Sequence, residues 1–139
     1  MTVERRPPVA MPGLQLRASR TQLGLTQAEL GELLGLASPT DSVRRLEAPA
    51  GRRSARPVRQ PVADRVEALL EQMDAAVVAL VAEVESTGAD TVPVYADDEA
   101  LHAARPQHAA MPAAWWGLVV LRAVRVLADR RRRVEVVEQ

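Results

Sequence analysis

Residues 14–47 read LQLRASRTQLGLTQAELGELLGLASPTDSVRRLE, and the punctuation of this stretch decides the fold. Leu16 and Leu23, with the small Ala18 and Ser19, suit a first helix. Gly24 is placed to end it, because helices commonly close on a left-handed residue that glycine tolerates without strain. Thr26-Gln27-Ala28-Glu29 is a capping box: the threonine hydroxyl caps the first turn and the glutamate three residues on reaches back. The second helix then carries Leu30, Leu33 and Leu34 on one face and stops at Gly35. Ser38-Pro39-Thr40-Asp41 is another start signal, with a capping serine, a proline at the first helical position and an acid in the first turn. A third short helix reaches Glu47.

Three short helices joined by tight turns have the geometry of a helix-turn-helix. Where the second and third helices touch, a small side chain is needed, and Gly31 supplies it. In the third helix Val43 and Leu46 point inward. Thr40, Asp41, Ser42, Arg44 and Arg45 point outward. A helix N-terminus attracts phosphate through its free amides, and Gln27, at the start of the second helix, is positioned to donate there.

The run LRASRTQLGLTQAELGELLGL, followed by SVRRLE, resembles the Xre/Cro-type helix-turn-helix of phage and bacterial repressors. The resemblance implies that Thr40, Asp41 and Arg45 read base edges. It implies that Ser42 and Arg44 lie near the DNA backbone and that Gln27 contacts a phosphate. Two features depart from the family pattern. The turn between Gly35 and Val43 is longer than usual, and Gly31 replaces the usual alanine at some cost in helix propensity.

Outside this motif the chain has three further parts. Residues 1–12 are proline-rich, lack periodicity and read as a flexible arm. Residues 13–60 form the helix-turn-helix domain and end in a basic loop, APAGRRSARPVRQ over 48–60. There Arg52, Arg53, Arg56 and Arg59 are expected to meet phosphates, which dominate affinity for nucleic acid. Residues 61–88 read as one long amphipathic helix opened by Pro61, with Val62, Val66, Leu69, Met73, Val77, Leu80 and Val84 at three- and four-residue steps. Residues 89–139 read as a small C-terminal region. Thr91–Tyr95 suits an edge strand because Pro93 bars it from a sheet centre. Asp97–Leu101 suits a turn of helix, Ala113–Arg130 a strongly apolar helix, and Val134–Val137 a strand or a disordered tail. The expected fold is therefore mostly α, with an N-terminal helix-turn-helix bundle, a long connecting helix and a small α(+β) C-terminal region.

The apolar helix is hydrophobic on nearly all sides. A partner subunit against Trp115, Trp116, Val119, Val120 and Leu127 would explain this; coverage of both faces within one chain is the alternative. The C-terminal half also resembles, more loosely, the anti-CRISPR-associated type of regulator. In that type a long helix, an aromatic-containing strand, an acidic turn and a tryptophan-bearing helix follow the helix-turn-helix. That resemblance implies a homodimer built by residues 89–139 and repression of a nearby operon.

Composition bounds the chemistry. The 139 residues carry 18 basic and 18 acidic side chains, and every basic one is arginine. Residues 1–60 hold ten arginines against five acids, whereas residues 61–100 hold one against ten. Segmental charge matters more here than the neutral total. With no cysteine, disulfides, thiolate metal sites and cysteine nucleophiles are excluded. His102 and His108 make no metal site, and Asp97-Asp98-Glu99 reads as a helix start. No nucleophile triad or phosphate-cradling glycine loop stands out, so neither an enzyme nor a cofactor is expected. Arg130–Arg133 reads as a helix C-terminal charge cluster favoured by the dipole, ahead of a second DNA contact or a partner-facing patch. The N-terminus lacks a secretion signal, which makes a cytoplasmic location the expectation. The function expected is a sequence-specific, double-stranded-DNA-binding transcriptional repressor, dimeric on an inverted repeat. The other readings are an antitoxin that also neutralises a toxin, and an adaptor that binds only protein.

Overall fold

Local capping sets the first two helices of the computed structural model, which describes residues 9–139. The chain divides into two units, Met1–Leu70 and Glu71–Gln139. The first unit contains α1 (Gly13–Leu23), α2 (Gln27–Leu33), α3 (Pro39–Glu47) and the start of α4 (Gln60–Thr87). Helix α1 closes on Gly24 at φ 69°. The capping box is formed in full: the Thr26 hydroxyl accepts from the Glu29 amide at 3.1 Å, and the Glu29 carboxylate accepts from the Thr26 amide at 2.9 Å. At α3 the proline occupies the first turn as expected, but Ser38 does not cap. It sits in the left-handed region at φ 49° with no side-chain cap bond, whereas a capping side chain needs extended backbone to reach the first-turn amides; its carbonyl still accepts the first helical bond, from the Ser42 amide.

Leu16, Leu23, Leu25, Leu30, Leu34 and Val43 fill the interior of this unit. Each such burial is worth about 1.5–3 kcal/mol. Gly31 is where α2 meets the start of α3: an added Cβ would lie 2.5 Å from Pro39. Of the expected flexible arm, residues 1–8 lie outside the described residues. Its remainder, residues 9–12, is held. The Ala10 amide donates to the Val58 carbonyl at 3.0 Å, Met11 and Val58 form an antiparallel bridge, and both side chains are buried. An apolar side chain next to the helix start gains more from leaving water than the proline-rich composition suggested.

The second unit contains the rest of α4, β1 (Thr91–Val94), α5 (Asp98–Ala104), a 3₁₀ turn (Pro106–His108), α6 (Ala113–Asp129) and β2 (Glu135–Glu138). The C-terminal residues thus form a strand, pairing in parallel with β1 in the register Val92↔Val136. Asp97 caps α5 by accepting from the Ala100 amide at 2.8 Å, and Asp98 accepts from the Ala113 amide at the start of α6, also at 2.8 Å. The acidic turn is therefore a pair of helix caps. Met73, Val77, Leu80 and Val84 of α4 are buried, as their spacing predicts.

Helix α6 corrects one expectation. Trp115, Trp116, Val119, Val120 and Leu127 are all no more than 1% exposed within the single chain. They are core, not a surface for a second subunit. Trp116 donates through its indole N–H to the Pro93 carbonyl at 2.9 Å, while the Arg105 guanidinium lies 4.3 Å from its ring centroid. The arginine run is also not a simple dipole cluster. Arg130 caps α6, Arg131 turns the chain at φ 60°, and the Arg132 amide reaches back to the Leu127 carbonyl at 2.8 Å. The Arg130 side chain pairs with Glu85, and that of Arg132 donates to the Ala89 carbonyl at 2.7 Å. The run thus closes α6 and ties the turn into β2 to the end of α4. No helix among the described residues is long and apolar enough to cross a membrane.

Candidate nucleic-acid interface

Glu47, the last residue of α3, holds the three short helices together. Its side chain is buried, and its two oxygens accept from the Nε and Nη2 edge of the Arg20 guanidinium from α1, at 2.6 and 3.0 Å. Gln27, at the start of α2, donates to the same carboxylate at 3.4 Å. Arg20 also donates to the Leu25 carbonyl in the turn between α1 and α2 at 3.0 Å. The hydrogen bonds to Glu47 raise the Arg20 pKa above its ordinary value, against the opposing pull of burial. One carboxylate therefore fixes the end of α3 against α1 and against the beginning of α2.

Beside this clamp opens a polar concavity of about 560 Å³, lined by Arg17, Arg20, Gln27, Asp41, Arg44, Arg45, Glu47 and Arg52 among others. Five arginines face two carboxylates there, and both carboxylates are already engaged. Asp41 is bonded to Arg44 and also to Arg45, the latter at 3.1 Å. It sits between the two cations and orients them. Arg44 and Arg45 keep 69% and 46% of their side chains exposed, so their remaining donors face solvent. A guanidinium presents paired donors that match a phosphate or the major-groove edge of guanine.

The structure thus brings together Gln27, Asp41, Arg44, Arg45 and Arg52 from the expected set. Thr40 is exposed on the first turn of α3, outside the concavity. Ser42 spends its hydroxyl on the Ala37 carbonyl, so its donor serves the turn. Arg53 and Arg56 are exposed on the loop, away from the concavity, and Arg59 is half-buried. Arg56 is nevertheless anchored, since its amide donates to the Arg45 carbonyl at 3.0 Å. That bond holds the loop against the end of α3 and satisfies one of the carbonyls a helix end leaves free.

Sequence reasoning missed Arg17, Arg20 and Glu47. The signal for the first two was present: arginines three apart on a helix share a face, and that face flanks the Leu16 and Leu23 stripe. Glu47 lies 27 residues from Arg20, and no local pattern connects them.

Three short helices thus share one basic face, organised by an internal carboxylate clamp. No protein-family model matches the chain, and no curated protein matches it.

Proposed function

We propose that this chain is a sequence-specific transcription regulator of double-stranded DNA, a repressor acting as a homodimer on an inverted repeat. The observation that carries the reading is the pair Arg44 and Arg45 on α3. Asp41 holds both, and they face the concavity beside Gln27 at the start of α2. A helix entering the major groove reads bases with a few side chains near its start and middle. Arg45 fits that role and Arg44 the neighbouring backbone. Gln27 lies within the first turn of α2, where amides and dipole favour phosphate. The role of Asp41 is to orient arginines, and direct base contact by Thr40 follows only from the family resemblance. That resemblance to phage and bacterial repressors extends the reading to control of the protein's own operon.

Selection from a random double-stranded library, followed by anisotropy titration, tests this. Enrichment of a palindrome whose half-sites lie one helical turn apart, about 34 Å, is the expected result. Binding that is equal on selected and scrambled duplexes would overturn it.

A further inference from the structure

The two-stranded sheet of the second unit has one closed edge and one open edge. In the ladder the amides of Glu135 and Gln139 donate to the Asp90 and Val94 carbonyls, and the Ala96 amide donates to the Gln139 carbonyl. Backbone direction alternates along a strand. On β1, therefore, residues 90, 92, 94 and 96 face β2, while Thr91, Pro93 and Tyr95 face the other way. That outer edge of β1 is blocked. Pro93 has no amide hydrogen, and its carbonyl is taken by the Trp116 indole at 2.9 Å. On β2 the residues facing β1 are 135, 137 and 139, so Val134, Val136 and Glu138 turn their amides and carbonyls outward. No other strand among the described residues pairs with them.

We propose that the open edge of β2 is the homodimer seam, pairing antiparallel with β2 of a second copy to make a four-stranded sheet. This rests on the dimeric reading above and assigns its interface. Parallel pairs occur almost only in larger, covered sheets, and a two-stranded sheet alone is marginal in water. The charges on this strand choose the occupant. Arg131 and Arg133, both exposed, precede β2, and Glu135 and Glu138 lie along it. Antiparallel pairing sets the basic start of one strand beside the acidic end of the other, so the edge is complementary to itself. Parallel pairing would set like charges side by side. Val136, an apolar residue 39% exposed at the middle of the outward set, sits where the two-fold axis passes. The same edge could remain open to water because it is short and charged, a common protection against pairing; that is the monomeric outcome of the test.

The full-length protein is examined by sedimentation velocity at micromolar concentration and is expected at twice the 15.1 kDa chain mass. Val136→Pro removes an outward amide and none that β1 uses. It should weaken self-association by more than about tenfold while tryptophan fluorescence stays native. A second variant exploits the absence of cysteine. Across an antiparallel hydrogen-bonded pair the Cα atoms are about 5.5 Å apart, within disulfide reach. Val136→Cys should therefore cross-link to a dimer under mild oxidation, and Leu121→Cys, on the exposed face of α6, should not. A monomeric wild type overturns the seam, as does cross-linking through Leu121→Cys but not Val136→Cys. A monomer that still selects an operator sequence sinks the seam and leaves DNA recognition standing. A Val136→Cys cross-link without sequence-selective binding does the reverse.

Discussion

Gly31 and Gly117 lie in helix interiors, and the same substitution should act on them with opposite signs. At Gly31 an alanine Cβ would stand 2.5 Å from the Pro39 Cβ and carbonyl oxygen and 2.6 Å from its Cα. Ordinary carbon contacts are about 3.5–4.0 Å, so α2 and α3 must part by roughly 1 Å. Every atom in the way belongs to a proline ring or to backbone, and none can swing aside. Overpacking of this kind costs about 1–3 kcal/mol. The gain in helix propensity from glycine to alanine is about 1 kcal/mol. With rigid neighbours the upper end of the cost applies, leaving Gly31→Ala about 2 kcal/mol less stable than wild type. For a small domain this lowers the midpoint by roughly 8–16 °C. At Gly117 in α6 an added Cβ meets nothing within 4 Å, so only the propensity gain operates. Gly117→Ala should be stabilised by up to about 1 kcal/mol. Thermal unfolding of both variants by circular dichroism decides the matter. If Gly31→Ala melts at or above wild type, α2 does not meet Pro39 as described and the register of α3 is wrong.

Arg45→Ala should lose about 1–3 kcal/mol of binding on the selected operator and relax specificity at one position of each half-site; equal losses on operator and random DNA would make Arg45 a phosphate contact only. Arg52→Ala should flatten the log–log salt dependence by about 0.9, the increment for one neutralised phosphate, while Arg53→Ala, outside the concavity, should flatten it less; equal slopes for both variants would remove Arg52 from the interface. Glu47→Gln should destabilise the protein by about 1–3 kcal/mol, because it strips charge from a buried acceptor of three hydrogen bonds, and denaturant titration reads the change. His108 holds its proton less firmly than usual, through burial and then through the charge of Arg105. The unfolded chain therefore binds the proton more readily, so this contribution to stability is present at neutral pH and lost as pH falls below about 6.5; His108→Gln should flatten that part of a melting-temperature profile against pH.

The parts of the fold that could be read from sequence are those whose causes lie within a few residues of each other. Gly24, the Thr26–Glu29 box and Gly35 are local devices, and the end of α1 and both ends of α2 lie where they dictate. The apolar stripe of α4 is likewise local periodicity: of its expected members Val66, Met73, Val77, Leu80 and Val84 are buried, Val62 and Leu69 are half-buried, and Ala63, Ala76 and Val81 join the buried set unannounced. The candidate site is different. Its outward residues follow from helical spacing, but what organises them is Glu47, which joins Arg20 and Gln27 across 27 and 20 residues. A lone glutamate after two arginines carries no mark of that role.

The misplacement of Trp115 and Trp116 has the same origin. An all-round apolar helix says which side chains must leave water, never whose atoms replace it. Here α4, α5 and β1 lie in the same chain and do so. The tail shows how two local patterns can compete. RRRRVEVVEQ read either as a charge cluster at a helix end or as a strand, and both contain part of the answer. The arginines cap α6 and turn the chain, with Arg131 in the left-handed position that a glycine usually fills. The remainder pairs with β1, which lies more than forty residues back. What fixes the tail is the closed edge of β1: with Pro93 and Trp116 occupying its outer side, β2 can pair only on the inner side. That leaves its own outer edge, with basic start and acidic end, facing outward.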